Sequence, residues 1–304
     1  MALFPEARLA VEAAAADTPV WTEGYDVGAA REANRQAALA EAREDVAEVA
    51  DLDAAGVRVR LYVPADARPG LVVHLHGGGF VFHDVDVHDA GCRRLANRTA
   101  LRVLSVDYRR PPEHRFPAAP DDVSRVIAWL DTSAPAELRD GPTFVHGDSA
   151  GGNLALVAAL RHPARFAAAA LLYPFLDPAA GFGSYLTAAD GFDPREAAWY
   201  WQQYAASPDD LTHPDLAPLL SDRLGTLPPT LVVTAEHDPL RDEGEHLALL
   251  AADAGVEVVA TRYLGQVHGF WRHTSVFPAA EALLRQVSGF FDQHSFAQHT
   301  EAAP

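Results

Sequence analysis

The chain has 304 residues, of which 49% are hydrophobic and 22% charged, as in globular proteins and unlike disordered or fibrous ones. Its 24 basic residues are all arginines and stand against 42 acidic ones, so the net charge is −18. Because that charge repels phosphate backbones and anionic lipids, we expect no nucleic-acid partner and no membrane partner. The single cysteine, Cys92, cannot form an internal disulfide, and the N-terminus lacks the pattern of a signal peptide. We therefore expect a cytoplasmic protein.

Short apolar strands alternate with helices over most of the chain. Residues 1 to about 50 are rich in Ala, Glu and Arg and predict helices, whereas Val57–Val63 alternates with a period of two and predicts a strand. Further strands are predicted at 71–76, 101–106, 143–146, 167–173, 230–234 and 256–260, and helices at 86–99, 118–130, 150–160, 242–254 and 278–291. This alternation is typical of an α/β fold whose largely parallel sheet is covered on both faces.

One long stretch interrupts the alternation. Between Tyr173 and Pro229 the sequence predicts no strand, and it contains many aromatic residues. We interpret it as an insertion that packs over the sheet and forms a lid with the N-terminal helices. The predicted organisation is an N-terminal helical cap segment at 1–50 and a core at 51–304, with a cap insertion at about 177–222.

The clearest chemical signal is a G-x-S-x-G pattern centred on Ser149. The segment Gly147-Asp148-Ser149-Ala150-Gly151 follows a predicted strand and opens a predicted helix, which is the context of a nucleophile elbow. In such a tight turn the serine is strained and exposes its hydroxyl at the carboxyl end of the strand. The alternative is an ordinary glycine-rich turn between a strand and a helix.

A serine hydroxyl needs a base, and the base needs an acid. Among 14 histidines, His268 stands out because it lies between the last predicted strand and the last helix, where loops converge on a ligand site. Asp238 follows the preceding strand. Glu236 and Asp242 compete with it on distance, but Asp238 lies in the loop and Asp242 is expected to begin the next helix. The predicted catalytic residues are therefore Ser149, Asp238 and His268.

A glycine run supplies candidate donors for an oxyanion. His76-Gly77-Gly78-Gly79-Phe80 follows an apolar strand, and glycines let the main chain approach a substrate closely. The N–H of Ala150, just after the serine, is another donor. The alternatives are a flexible turn or an anion site, although a P-loop is excluded because the chain has no lysine.

These segments together resemble one enzyme family. The four signatures of the hormone-sensitive-lipase family of esterases, in its GDSAG branch, resemble His76–Phe80, Gly147–Gly152, Asp238–Gly244 and His268–Phe270. A further structural block resembles residues 107–122, although Arg110-Pro111 stands where Leu-Ala is usual. The order serine, acid, histidine is also that of the α/β-hydrolases. The resemblance covers roughly Val57 to Phe291.

The resemblance implies an α/β-hydrolase fold, with a mostly parallel eight-stranded sheet flanked by helices and a helical cap. It also implies a serine carboxylesterase that hydrolyses short-to-medium acyl esters through an acyl-enzyme, without metal or cofactor. By the family pattern the oxyanion donors are Gly78, Gly79 and Ala150, with Gly77 next in line. His76 is then expected to be structural, and Asp148 is expected to organise the elbow.

The expected partner is a small-molecule ester, and the sequence leaves a homodimer open. Candidate residues of the substrate pocket are Phe80, Tyr108, Trp201 and Phe270. Two other functions compete: a non-catalytic ligand receptor, which retention of His268 disfavours, and amide hydrolysis or acyl transfer on the same triad.

Overall fold

The computed structural model describes residues 2–295, which include one eight-stranded sheet. Its strands are β1 (Glu48–Ala54), β2 (Val57–Val63), β3 (Leu71–Leu75), β4 (Arg102–Val106), β5 (Thr143–Asp148), β6 (Ala168–Leu172), β7 (Thr230–His237) and β8 (Val258–Val267). Their order is β1-β2-β4-β3-β5-β6-β7-β8. The β1–β2 and β2–β4 pairs are antiparallel and the remaining pairs are parallel, as expected for a mostly parallel sheet.

Alternating side chains divide the core into two layers, one on each face of the sheet. In β3, Val73 and Leu75 belong to one buried cluster and Val72 to the other. In β5 the same alternation sends Val145 and Phe144 to opposite faces. These strands are buried on both sides, so they read as nearly continuous apolar runs.

Helices cover both faces. They are α1 (Pro5–Ala14), α2 (Val27–Leu39), α3 (Asp89–Thr99), α4 (Ala118–Thr132), α5 (Ala150–Arg161), α6 (Ser184–Thr187), α7 (Pro194–Tyr204), α8 (Arg241–Asp253) and α9 (Pro278–Gln293). α3 and α9 pack on the face of Val72, whereas α4, α5 and α8 pack on the face of Val73. Short 3₁₀ helices occur at Ala136–Leu138, Pro208–Thr212, Pro218–Leu220, Leu224–Thr226 and Phe270–Arg272. No helix within residues 2–295 is long and apolar enough to cross a bilayer.

The N-terminal fifty residues are not entirely helical. α1 and α2 are present, but strand β1 begins at Glu48 and pairs with β2 through a tight turn in which Ala55 and Gly56 have positive φ angles of 54° and 86°. β1 lies at the edge of the sheet with mostly exposed side chains, so it lacks the apolar pattern of the inner strands. Arg60 stabilises the hairpin by pairing with Asp51 at 2.6 Å.

The segment between β6 and β7 contains no strand, and all of its residues are described. It holds α6, α7 and three of the 3₁₀ helices. The side chain of Asp193 caps α7 by accepting a hydrogen bond from the N–H of Arg195 at 2.8 Å. This agrees with the absence of a predicted strand, while the domain boundaries stay predictions.

Candidate active site

Ser149 occupies the sharp turn between β5 and α5. Its backbone has φ 56° and ψ −121°, a left-handed conformation that costs a non-glycine residue energy. The turn requires glycine on both sides, because a Cβ at Gly147 would overlap the carbonyl group of Gly151 and one at Gly151 would overlap the carbonyl oxygen of Leu75. The G-x-S-x-G spacing is therefore a steric requirement of this turn.

The structure brings Ser149, His268 and Asp238 into one hydrogen-bonded row. The Nε2 atom of His268 lies 2.9 Å from the Oγ of Ser149, and its Nδ1 lies 2.7 Å from the Oδ2 of Asp238. Asp238 is fully buried and also accepts a hydrogen bond from the N–H of Leu240 at 2.9 Å. In this geometry Nδ1–H donates to the carboxylate, so Nε2 is free to accept the serine proton.

The two competing carboxylates have other partners. The side chain of Glu236 accepts a hydrogen bond from the N–H of Gly265 at 2.7 Å. Asp242 lies near the start of α8, where it accepts hydrogen bonds from the N–H of Ser184 and from Arg241, both at 2.8 Å. The position of Asp238 in the loop after β7 is what brings its carboxylate to His268.

Three backbone N–H groups beside Ser149 have no acceptor within the described chain: those of Gly78, Gly79 and Ala150. Gly78 and Gly79 have φ angles of 105° and 58°, and Cβ atoms there would overlap the His83 and Tyr200 rings. Gly77 differs from the expectation, because its N–H donates to the Oδ1 of Asp148 at 3.1 Å. It therefore holds the elbow and is not available as an oxyanion donor.

His76 and Asp148 support the loop from below. His76 is fully buried and stacks on Tyr108 at 4.1 Å between ring centroids, while the Tyr108 hydroxyl donates to the carbonyl of His76 at 2.7 Å. Burial, with the charge of Arg110, lowers the pKa of His76 to about 3, so the ring stays neutral. Burial also raises the pKa of Asp148, whose side chain accepts the Gly77 hydrogen bond. Both residues are structural in this arrangement.

A cleft of about 820 Å³ opens above Ser149 and His268. Its floor includes Gly78 and Gly79 from the glycine loop, and its walls come from the two cap segments. The cap residues that line it include Val11, Trp21, Tyr25, Ala30, Asn34, Phe192, Arg195, Glu196 and Tyr200. The Phe192 ring lies 4.9 Å from that of His268, and the Tyr173 ring lies 4.8 Å from it, so two aromatic rings contact His268.

None of the four predicted pocket residues lines this cleft. Phe80, Trp201 and Phe270 are buried in the core, and Tyr108 lies beneath the loop against His76. Phe80 stacks on Tyr204 at 3.8 Å, and Trp201 packs against Phe175 at 4.2 Å. Near neighbours, Phe82 and Tyr200, face the cleft instead. The turn of the glycine loop, in which Phe80 has a φ of 65°, and helical rotation along α7 decide which aromatic residue faces the cleft, and sequence alone does not give that orientation.

Sequence reasoning also missed a row of imidazoles beneath the cleft. His146 Nδ1 lies 2.9 Å from His74 Nδ1, His74 Nε2 lies 3.2 Å from His88 Nδ1, and His88 Nε2 lies 3.3 Å from His83 Nδ1. Burial lowers the pKa of all four rings. Their positions in the sequence are unrelated, and only the fold assembles them.

One group of side chains within residues 2–295 has the composition of a metal site. His74, His88 and Asp148 each offer a donor atom, and the three donors lie within 4.8 Å of one another. Two histidines and a carboxylate suit a divalent transition metal. Each donor already has a hydrogen-bond partner in the protein, however, so these contacts join β3 to β5 and to the segment before α3, and the elbow to the glycine loop, without an ion.

The chain is similar to known ester hydrolases along most of its length. A family model described as the alpha/beta hydrolase fold matches residues 72–272. The carboxylic ester hydrolase LipN of Mycobacterium tuberculosis is 40% identical over 243 residues, which are 73% of this chain and 64% of that protein. The chain thus spans less than two thirds of this relative's length.

Two further comparisons cover larger shares of the relatives. The ethyl acetate hydrolase of Pseudomonas putida is 35% identical over 248 residues, 78% of each chain. The esterase of the archaeon Pyrobaculum calidifontis has a TM-score of 0.88 at 35% identity, covering 97% of this chain and 100% of its own. The resemblance inferred from the four motifs is confirmed: the chain belongs to the α/β-hydrolase-fold family and, within it, to the ester hydrolases related to hormone-sensitive lipase.

Proposed function

We propose that this protein is a serine carboxylesterase that hydrolyses small esters of short-to-medium acyl chains through an acyl-enzyme. The observation that carries the proposal is the row Ser149–His268–Asp238, at 2.9 and 2.7 Å, beside the unpaired N–H groups of Gly78 and Gly79 in the cleft and of Ala150 next to the serine. The row matches the requirements of a nucleophile, a base and an orienting acid.

In the first step, the Oγ of Ser149 attacks the ester carbonyl while the Nε2 of His268 takes its proton. The negative charge that develops on the carbonyl oxygen is stabilised by the N–H groups of Gly78, Gly79 and Ala150. The imidazolium, oriented by Asp238, then gives its proton to the leaving alcohol. Water repeats the sequence on the acyl-enzyme, with His268 again as the base, and releases the acid.

The test is covalent labelling of Ser149 by an organophosphonate combined with steady-state kinetics on an acyl ester. We expect Ser149→Ala to abolish labelling and to lower kcat by roughly 10³-fold or more, with an unchanged melting curve. Ser133→Ala is the matched control, because Ser133 is an exposed serine outside the cleft. Labelling of the Ser149→Ala protein at another serine, together with retained turnover, would show that the proposed nucleophile is wrong.

A further inference from the structure

An unpaired guanidinium lines the cleft. Arg272 is half-buried, four residues after His268, and its guanidinium makes no hydrogen bond or ion pair within residues 2–295. Every other described arginine that is not exposed has a polar partner. Arg195, also in the cleft wall, pairs with Asp193 at 2.7 Å. A partly buried guanidinium without a hydrogen bond or ion pair is unfavourable, because burial removes part of its hydration and no protein group replaces it.

A second donor lies near Arg272. His83 also lines the cleft, and within the described chain its Nε2 has no hydrogen-bond partner. A Cβ on Gly78 would lie 2.8 Å from the His83 ring, so His83 packs against the loop that carries the oxyanion donors. Burial first, and then the charge of Arg272, lowers the pKa of His83 well below its usual range. His83 is therefore a neutral ring held close to a cation.

The imidazole row decides which nitrogen of His83 carries hydrogen. Each neutral ring has one N–H group that can donate to the next ring. Along the row from His146 through His74 and His88 to His83, either every ring donates toward His83 or every ring donates toward His146. In one direction His88 donates to the Nδ1 of His83, and the Nε2–H of His83 then faces the cleft. An anion in the cleft stabilises this direction.

We propose that Arg272 and His83 form a carboxylate-binding subsite beside the oxyanion loop, so that the preferred esters carry a second, negatively charged group. The inference rests on the proposed esterase function. A carboxylate there accepts hydrogen bonds from the Arg272 guanidinium and from the His83 Nε2–H, and it supplies the direct ion pair that Arg272 lacks within residues 2–295.

The carboxylates already in the cleft have other roles. Asp193 is paired with Arg195, Glu196 accepts a hydrogen bond from the hydroxyl of Tyr200 at 2.5 Å, and Asp148 accepts one from Gly77. Asp17 is exposed. None of them forms a direct ion pair with Arg272, although the charge of Arg272 acts to lower the pKa of Asp148 and, outside the cleft, that of Glu41.

The experiment compares each anionic ester with a neutral ester of the same shape. On the acyl side, the pair is the mono-para-nitrophenyl ester of adipic acid and para-nitrophenyl hexanoate. On the alcohol side, the pair is para-butanoyloxybenzoate and para-methylphenyl butanoate. The readout is the ratio of kcat/KM for the anionic ester to that for the neutral one, at about 0.15 M salt so that the net charge of the protein is screened.

We expect Arg272→Gln to lower this ratio by about 10-fold or more for one of the two ester pairs. The change should arise mainly through KM, since a hydrogen bond to a charged group is lost. The ester pair whose ratio falls shows whether the carboxylate belongs to the acyl part or to the alcohol part of the substrate. Arg272→Lys should lower the ratio less, because it keeps the charge but not the planar fork. His83→Phe should lower it by a few-fold. The matched control, Arg285→Gln, removes an exposed arginine that pairs with Glu281 outside the cleft and should leave the ratio unchanged.

If the wild-type and Arg272→Gln proteins gave the same ratio for both ester pairs, the proposed carboxylate subsite would be wrong. Melting curves show whether each variant folds, and if Arg272→Gln does not, the ratio for Arg272→Lys decides instead. Failure of the proposed function is a separate result, in which the wild type hydrolyses neither neutral ester faster than Ser149→Ala does.

Discussion

The strained backbone of Ser149 is held by hydrogen bonds of both its N–H and its carbonyl group. The N–H of Ser149 donates to the carbonyl of Leu172 at 2.9 Å, and its carbonyl accepts from the N–H groups of Phe175 and Asn153, each at 3.1 Å. A left-handed non-glycine residue costs about 1–3 kcal/mol, and the surrounding bonds offset that strain. The hydroxyl is therefore already directed at His268 before any substrate binds.

Gly79 is the residue at which a single methyl group tests the oxyanion loop. Gly79→Ala places a Cβ on the Tyr200 ring at a φ of 58°, so either the loop or the ring must move. We expect kcat to fall by about 10²-fold or more, because the Gly79 N–H leaves its position. The matched control is Gly255→Ala, which also places a side chain at a positive φ, of 89°, but has no neighbour within 4 Å.

Steady-state kinetics and melting temperature together interpret this comparison. Gly255→Ala should lower only the melting temperature. A Gly79→Ala enzyme with the kcat of the wild type would mean that the Gly79 N–H does not contact the oxyanion.

Residues whose role depends on a local turn could be predicted from the sequence. The elbow, the glycine loop, Asp238 and His268 are all adjacent to strand ends, so their meeting point follows from a parallel sheet. The role of Gly77 could not be predicted, since it depends on a hydrogen bond to Asp148, 71 residues away.

On α7, two adjacent aromatic residues face different environments. Successive residues of a helix are about 100° apart, so Tyr200 faces the cleft while Trp201 packs against Phe80 and Phe175. The aromatic composition predicted a cap segment that contacts substrate. Which ring makes that contact depends on how the helix is seated on the core, and no periodicity in the sequence encodes that.

Trp201→Ala should therefore act on stability and not on selectivity. We expect the free energy of unfolding to fall by about 3–5 kcal/mol, because a nearly fully buried indole is removed. With acyl chains from acetyl to dodecanoyl, kcat/KM of the wild type should peak at roughly four to eight carbons. The variant should keep the shape of that profile.

The complementary variant is Tyr200→Ala, which enlarges the cleft and should move the optimum toward longer chains. A shifted optimum in Trp201→Ala with unchanged stability would contradict the packing described here. Urea unfolding and the chain-length panel, measured on the same preparations, distinguish these outcomes.

Across the whole molecule, the two faces of the sheet differ in chemistry. The face covered by α3 and α9 contains the buried rings of His74, His88 and His146 among apolar side chains. The alternation of strands and helices predicted a sheet covered on both faces, but it could not reveal that histidines from β3, β5 and the segment before α3 would meet. Long-range pairing of strands decides that meeting.

These buried histidines should make folding sensitive to acid. Burial lowers the pKa of His146 to about 3, whereas an unfolded histidine takes up a proton below roughly pH 6.5. Below that pH the unfolded chain binds more protons than the native protein. His146 therefore lowers the free energy of unfolding as the pH decreases, until the pH reaches its native pKa. Between about pH 7 and pH 5.5, His146 should account for a loss of about 1 kcal/mol.

The measurement is urea unfolding at both pH values. His146→Leu should show a loss on acidification that is smaller by about 1 kcal/mol than that of the wild type, whatever its stability at neutral pH. His114→Gln, at an exposed histidine, is the control and should keep the loss of the wild type. Identical losses in all three proteins would mean that His146 takes up its proton in the native state as it does in the unfolded chain.

The cleft takes its reactive groups and its walls from different parts of the chain. Ser149, Asp238 and His268 lie at strand ends, whereas Trp21, Tyr25 and the residues of α7 lie outside the sheet. We therefore expect mutations in the walls to accumulate without disturbing the proposed proton transfer from Ser149 to His268. When new esters become available as nutrients, this separation allows substrate selectivity to change through the cap residues while the residues at the strand ends stay the same. A directed-evolution library restricted to the cap can vary selectivity in the same way.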